Sequence, residues 1–498
     1  MQYNYTAGGK LANILYPSGL KITYTYNQGL LSNINSSIGG KLLQNVRYTP
    51  IGIGGWNWGT GYDQFNIVQD TDGRINDVTS TGILTRHYNF DAADRITSIN
   101  DSDSTLNSGF NYDVMDRLTQ QNIQFGDKNS VLNYSYDANG NRTQQDKAEN
   151  GTSTDTAYSI ANTSNRINSY SYLATGQVTQ DNTRSYQYDA AGRSSQIQKN
   201  SNSIENRYDP LGQRVIKYIS NNGVQSVIYF VYNESGQLLG EYDQNRNRIR
   251  EYIWLGDRLV GMLSQERPNV LLRVHTDHLK TPRAVSEGDG DSRKVLWRWD
   301  GDQFGDVLAN EDVDANNIKF TMPLRHAGQY FDSEIGTFYN YFRDYDPATG
   351  RYVQSDPLGL FDGTNTYAYA YSNAVSYNDP TGQFVPILVG IAIGAGTDLG
   401  IQLALNGGEW HCIDWGSVTV SAGLGAIGGG LTDGLIKGAF RFRVAQSIGG
   451  RSPSYSWGAT KAWGKKNNIS VLKVSSGQQR HHWLLQQNQG WEKMLQIG

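Results

Sequence analysis

The feature that most restricts what this chain can fold into is a short unit that returns along it: aromatic, any residue, aromatic, Asp, two residues, Gly, then Arg or Asn. Good copies are Tyr88-Asn89-Phe90-Asp91-Ala92-Ala93-Asp94-Arg95, Phe110-Asn111-Tyr112-Asp113-Val114-Met115-Asp116-Arg117 and Tyr134-Ser135-Tyr136-Asp137-Ala138-Asn139-Gly140-Asn141. Two more are Tyr186-Gln187-Tyr188-Asp189-Ala190-Ala191-Gly192-Arg193 and Arg207-Tyr208-Asp209-Pro210-Leu211-Gly212-Gln213-Arg214, and weaker ones begin at Tyr3, Tyr24, Tyr170 and Phe230. Aromatics at i and i+2 share one face of a strand, the Asp closes an Asx or type I turn, and the Gly takes the positive φ that re-enters the next strand. Each unit is therefore strand-turn-strand. Asp94 and Asp116, standing where other copies have Gly, must hold a left-handed backbone at some cost. Within the two runs Phe90, Tyr112, Tyr136 and Tyr188, Tyr208, Tyr232 the second aromatics are 20 to 24 residues apart, the period of a stacked repeat and not of a coiled coil. The repeated Tyr and Asp are strand and turn residues, and no chemistry is assigned to them.

Composition agrees with a mainly β chain. Of 498 residues only 18% are charged, while 56 are Gly and 32 Tyr, a mixture suited to many short strands joined by turns. The single cysteine, Cys412, excludes an intrachain disulfide and any metal site built of several thiolates. Residues 1 to 20 lack the basic start and apolar run of a signal peptide, so export requires another route. The start falls inside a repeat, and the expectation is a fragment of a longer ancestral chain or a reading frame that opens late. Net charge is −4 but uneven: Arg441 to Gly498 carries nine Lys and Arg against one Glu, and the remainder is acidic. A basic segment of this kind suits nucleic acid or another polyanion, and equally suits neutralisation by its own acidic carrier.

The repeats resemble the YD repeats of bacterial Rhs proteins, of the C components of insecticidal toxin complexes and of teneurins, over about residues 1 to 382. That resemblance implies a spiralling β-sheet shell that is hollow and encloses a polypeptide. Val274-His275-Thr276-Asp277-His278-Leu279-Lys280-Thr281-Pro282-Arg283, followed by the Val295-Leu296-Trp297 strand, resembles the Rhs signature, with Lys280 where the family has Gly. His275 and His278 have no further ligands at a metal-binding spacing and are read as turn-stabilising. The stretch from Leu324 through Tyr339-Asn340-Tyr341-Phe342-Arg343-Asp344-Tyr345-Asp346-Pro347, Ser355-Asp356-Pro357-Leu358-Gly359 and Asp379-Pro380-Thr381-Gly382 resembles the Rhs-associated core.

In that family the core is an intramolecular aspartyl protease, which implies carboxylates at Asp344 and Asp356 with Arg343 beside the first. Two carboxyls sharing one proton have pKa values pushed apart, so one acts as base and the other as acid. The implied cut is the Gln383-Phe384 bond. Gln383 departs from the family's Leu, and a pocket shaped for an aliphatic side chain binds Gln less well. The alternative is that these aspartates only form tight Asp-Pro turns.

Composition changes at Phe384. The expected divisions are a repeat shell over 1–270, signature and core over 271–382, a Gly/Ala-rich apolar linker or helical hairpin over 383–446, and a basic cargo over 447–498, the last two forming a small α-rich or mixed domain. The apolar runs 384–397 and 415–432 leave three readings: a buried linker, an aid to membrane crossing, or a pore former. Gln478-Gln479-Arg480-His481-His482-Trp483 resembles the entry to a metal-dependent HNH-like nuclease, which implies His481 or His482 as general base with Mg²⁺ or Zn²⁺ for the tail and no cofactor for the shell. After His482 sixteen residues remain, with no His, Asp or Cys to complete a metal site.

The expectation is a toxin carrier acting in bacterial competition or against a host, secreted or surface-borne through a specialised export system. Its partners would be its own cargo, an immunity protein, a secretion-system component and nucleic acid. A surface or matrix adhesin and a displaced, inactive fragment are the competing readings.

Overall fold

In a computed structural model, the residues described are 1–383, apart from positions 51, 60, 126–127 and 362, together with the strands Ile469–Lys473 and Trp483–Gln487. The chain divides into two units, Met1–Leu388 and Val389–Gly498.

In the first unit the repeats become pairs of antiparallel strands around a turn, Asp-centred in the good copies, and each strand bonds to its neighbour in sequence. Fifteen such strands, from Gln2–Tyr5 to Thr152–Ala157, form one sheet, and thirteen, from Ser171–Tyr172 to Lys294–Arg298, form a second. The second sheet runs without a break through the strand Arg267–Thr276, so the expected 270/271 division falls inside a strand. A four-stranded sheet follows: Tyr330–Asp332, Thr337–Asn340, Arg343–Asp346 and Arg351–Tyr352.

The turn explains the repeat. Asp91 Oδ1 accepts from the backbone N–H of Ala93 (2.8 Å) and Arg95 (3.1 Å), and its Oδ2 accepts from Arg95 Nε (2.7 Å). Asp113 does the same for Met115 and Arg117, and Asp189 for Ala191 and Arg193. The residue at the Gly position is left-handed throughout: φ is 63° at Asp94, 62° at Asp116 and 66° at Lys280. The turn arginine then lies over the second aromatic of the following copy, Arg95 over Tyr112, Arg117 over Tyr136 and Arg193 over Tyr208. That same tyrosine donates its hydroxyl back to the residue after the arginine, Tyr112 to Ile96 O (2.6 Å) and Tyr136 to Leu118 O (2.8 Å).

The second aromatic also marks a break in register, at Asn111/Tyr112, Ser135/Tyr136 and Gln187/Tyr188. A bulge there twists the strand as it enters the turn. First aromatics such as Tyr88, Phe110 and Tyr134 are buried in a core shared by residues of both large sheets. Across that core Tyr16 donates to Tyr252 O (2.7 Å), and His275 sits between the Ser80 and Ser286 hydroxyls, 2.7 Å from each.

The second unit is described only in its strands Ile469–Lys473 and Trp483–Gln487, which pair antiparallel with Ile469 opposite Gln487 and Lys473 opposite Trp483. The expected apolar hairpin of 384–432, the rest of 383–446 beyond Gln383, and His481 and His482 lie outside the described residues.

Two substitutions separate the strain of the turn from its hydrogen bonding. Asp116→Gly relieves the positive φ and loses only a half-exposed pair with Arg95, so the unfolding midpoint in urea rises by the equivalent of about 0.5–1 kcal/mol. Asp113→Ala deletes the carboxylate that holds the turn and lowers stability by about 2–4 kcal/mol in the same measurement.

Candidate functional site

The strand Arg343–Asp346 lies inside the four-stranded sheet, paired with Thr337–Asn340 on one side and Arg351–Tyr352 on the other. Successive residues of a strand point to opposite faces, so Arg343 and Asp344 serve different surroundings.

Arg343 is the hub of one face. Its guanidinium stacks on the Tyr352 ring, 3.6 Å from the ring centre. Nη2 reaches Asp356 Oδ2 at 2.8 Å and Asp379 Oδ2 at 3.2 Å, and Nη1 donates to Thr366 O at 3.1 Å. Its Nε donates to the carbonyl of Gly382, the residue before Gln383. Asp379 holds the same segment from within: its Oδ1 accepts from the backbone N–H of Gly382 (2.9 Å) and Gln383 (3.2 Å), while Oδ2 accepts from Tyr352 OH (2.8 Å). Gly382 is required sterically, because at φ 70° a Cβ would stand 2.3 Å from Asn340 O.

Asp344 is buried with a different set of partners. Its Oδ2 accepts from the Ser194 hydroxyl and from Gln354 Nε2 (2.7 Å), and its backbone N–H donates to Gln354 Oε1 (2.8 Å). Its Oδ1 is buried with no hydrogen-bond partner. Burial pushes the Asp344 carboxyl up to about 6, against the lowering effect of the Ser194 and Gln354 hydrogen bonds. Asp332 raises it further and Arg214 lowers it.

The expected residues thus gather around one strand in a different division of labour. The sequence placed Arg343 beside Asp344 to tune or orient the carboxylate pair, and its guanidinium binds one member of that pair, Asp356, together with Asp379. The Asp344 carboxyl is turned towards Ser194 and Gln354, while Asp356 is held by Arg343. Sequence reasoning quoted Asp379 only as part of a turn motif and missed Ser194 and Gln354. Ser194 carried a usable signal: it follows the turn arginine at a position that is Ile96, Leu118 or Leu238 in other copies. His275 is buried and His278 half-buried among protein partners, His278 Nε2 donating to Val375 O (2.8 Å). Among the described residues no group of three or more His, Cys, Asp or Glu could hold a metal ion.

Residues 60–380 match the family model of the teneurin YD-shell. Toxin protein Tse5 of Pseudomonas aeruginosa is 27% identical over 285 residues, which cover 45% of this chain and 21% of that protein. Probable deoxyribonuclease RhsA of Dickeya dadantii is 24% identical over 423 residues, covering 76% of this chain and 25% of that one. Among solved structures, the crystal structure of TcdB2-TccC3-Cdc42 superposes with a TM-score of 0.64 over 76% of this chain and 21% of that chain, at 16% identity, a likeness of fold. The chain therefore spans a quarter or less of the length of these proteins.

The clamp on residues 379–383 is testable by itself. Gly382→Ala combines a positive φ with a clash against Asn340 O, so amide hydrogen exchange at positions 382 and 383 accelerates about tenfold, the equivalent of about 1.4 kcal/mol of lost protection.

Proposed function

The chain belongs to the teneurin YD-shell family, and on that premise we propose that it is the carrier part of a polymorphic toxin whose core cuts its own chain at Gln383-Phe384. The observation that carries the reading is the hold on the segment Asp379–Gln383: the arginine that binds Asp356 also binds the Gly382 carbonyl. Relatives named as a toxin and as a probable deoxyribonuclease support a cargo beyond the cut.

In the proposed reaction a water adds to the Gln383 carbonyl. One carboxylate takes the proton of the water while a protonated carboxyl gives one to the carbonyl oxygen. Collapse breaks the C–N bond as the proton taken from the water passes to the nitrogen and the carbonyl-oxygen proton returns to the other carboxylate, leaving a carboxylate on Gln383 and an amine on Phe384. Asp344, titrating near 6, can hold a proton close to neutral pH, and Asp356 is the second carboxyl. Clamping one side of the bond lowers the entropic cost of reaching the attacking geometry.

The released piece would carry the basic residues 441–498, which suit a nucleic-acid target. His481 and His482 are proposed as its general-base candidates, with a divalent metal as cofactor. Enclosure of that piece by the repeats, an immunity protein to neutralise it and export by a secretion system complete the proposal.

The intact mass of the purified chain decides the first step. Two products meeting at Gln383-Phe384 are expected, with an Asp344→Asn, Asp356→Asn variant remaining whole. An uncut wild-type chain removes the protease reading. Where cutting occurs, its rate changes around pH 6 as Asp344 titrates; a rate flat from pH 4 to 8 removes Asp344 from the chemistry.

A further inference from the structure

The carboxyl of Asp344 is held by a residue that is not part of the core. Ser194 opens the strand Ser194–Lys199 of the thirteen-stranded sheet, 150 residues earlier in the chain, and is fully buried. Its own position is set by the repeat: the turn Asp189–Arg193 precedes it, and its carbonyl accepts from Tyr208 OH (2.9 Å) and Asn206 Nδ2 (3.0 Å).

The network fixes the direction of each hydrogen bond. Gln354 Oε1 must face the Asp344 N–H, since an N–H can only donate, and this turns Nε2 towards both Ser194 Oγ (2.9 Å) and Asp344 Oδ2 (2.7 Å). Ser194 Oγ accepts from that amide and so spends its own proton on Asp344 Oδ2. Both donors converge on one oxygen, leaving Oδ1 as the buried, unpartnered atom that can carry or receive a proton.

We propose that Ser194 is a positioning residue of the cleavage site, supplied by the repeat sheet, so that the core becomes competent only after the strand Ser194–Lys199 has been laid against it. The inference rests on the autoprotease reading above. Cleavage then reports assembly: a chain whose repeats have not yet stacked lacks the hydroxyl that fixes Asp344, and the cut waits for the fold. Asp332 and Arg214 are the charged groups facing Asp344, and the hydroxyls of Tyr188, Tyr208 and Tyr339 also face it; all belong to the two sheets that meet here.

The test is the pH profile of self-cleavage in the full chain, expressed uncut at a non-permissive pH and then shifted. A hydroxyl donating to a carboxylate favours the ionised form, so its removal raises the Asp344 pKa. In Ser194→Ala the limb of the profile governed by Asp344 moves upward by about half to one pH unit, and Ser194→Thr restores it. Gln354→Met deletes the other donor at similar volume and moves the limb the same way, which serves if Ser194→Ala does not fold. Wild-type cleavage abolished by Asp344→Asn but unshifted by either donor variant overturns the role of Ser194 and leaves the protease standing. A wild-type chain uncut at every pH overturns the protease reading and this inference with it.

Discussion

Everything in the first unit depends on one carboxylate placed to close a turn and one arginine that the carboxylate holds in line. Asp91, Asp113 and Asp189 each take two backbone N–H groups and the arginine Nε. An arginine fixed in this way has its guanidinium plane free to cover the next copy's aromatic, and Arg95, Arg117 and Arg193 each also donate to the carbonyl of the next copy's Asp, Arg117 at 2.7 Å. The turn is thus both the end of one hairpin and the platform for the next. Interactions of this kind are each worth little at a half-exposed site, but they recur along the sheets, and stacked repeats add their nearest-neighbour terms.

How much of this could be read in advance follows from which residues are local. Aromatic, Asp and Gly fall within eight residues, so the strand-turn-strand unit and even the left-handed positions of Asp94, Asp116 and Lys280 are legible in the sequence. The bulge at the second aromatic is not, because it depends on the partner strand. The pairing of Arg343 with Asp356 and Asp379 joins residues 13 and 36 positions apart through turns whose paths no local pattern specifies. The motif showed which residue types gather; only the alternation of the strand decided that Asp344 would face away from that arginine.

Charge inside the first unit is spent where the repeat and the core meet. Arg214 and Asp332 are both fully buried and joined by two bonds, 2.6 and 3.0 Å, with Lys217 on the same carboxylate at 2.9 Å. Arg184 reaches Asp346 at 2.9 Å while held by Asp181 at 2.8 Å. A buried pair gains little over a well-packed apolar contact, yet removing one member strands the other at a cost of about 3–5 kcal/mol. Such pairs discriminate between placements more than they stabilise any one of them: a core strand shifted by one residue turns Asp332 or Asp346 to the wrong face and leaves an arginine alone.

The position after each turn residue shows the same logic from the side of the repeat. It is apolar and inward at Ile96, Leu118 and Leu238, but Arg142, Ser194 and Arg214 occupy it where the core packs above. Arg142 stacks on Tyr134 and Phe304 at 4.3 and 4.2 Å, Arg214 binds Asp332, and Ser194 binds Asp344. Polar residues at an otherwise apolar repeat position are costly unless each finds its partner. They therefore record where the docking surface lies, and the smallest of them, a serine, is the one beneath the only carboxyl of the three contacts that burial holds near neutral pH.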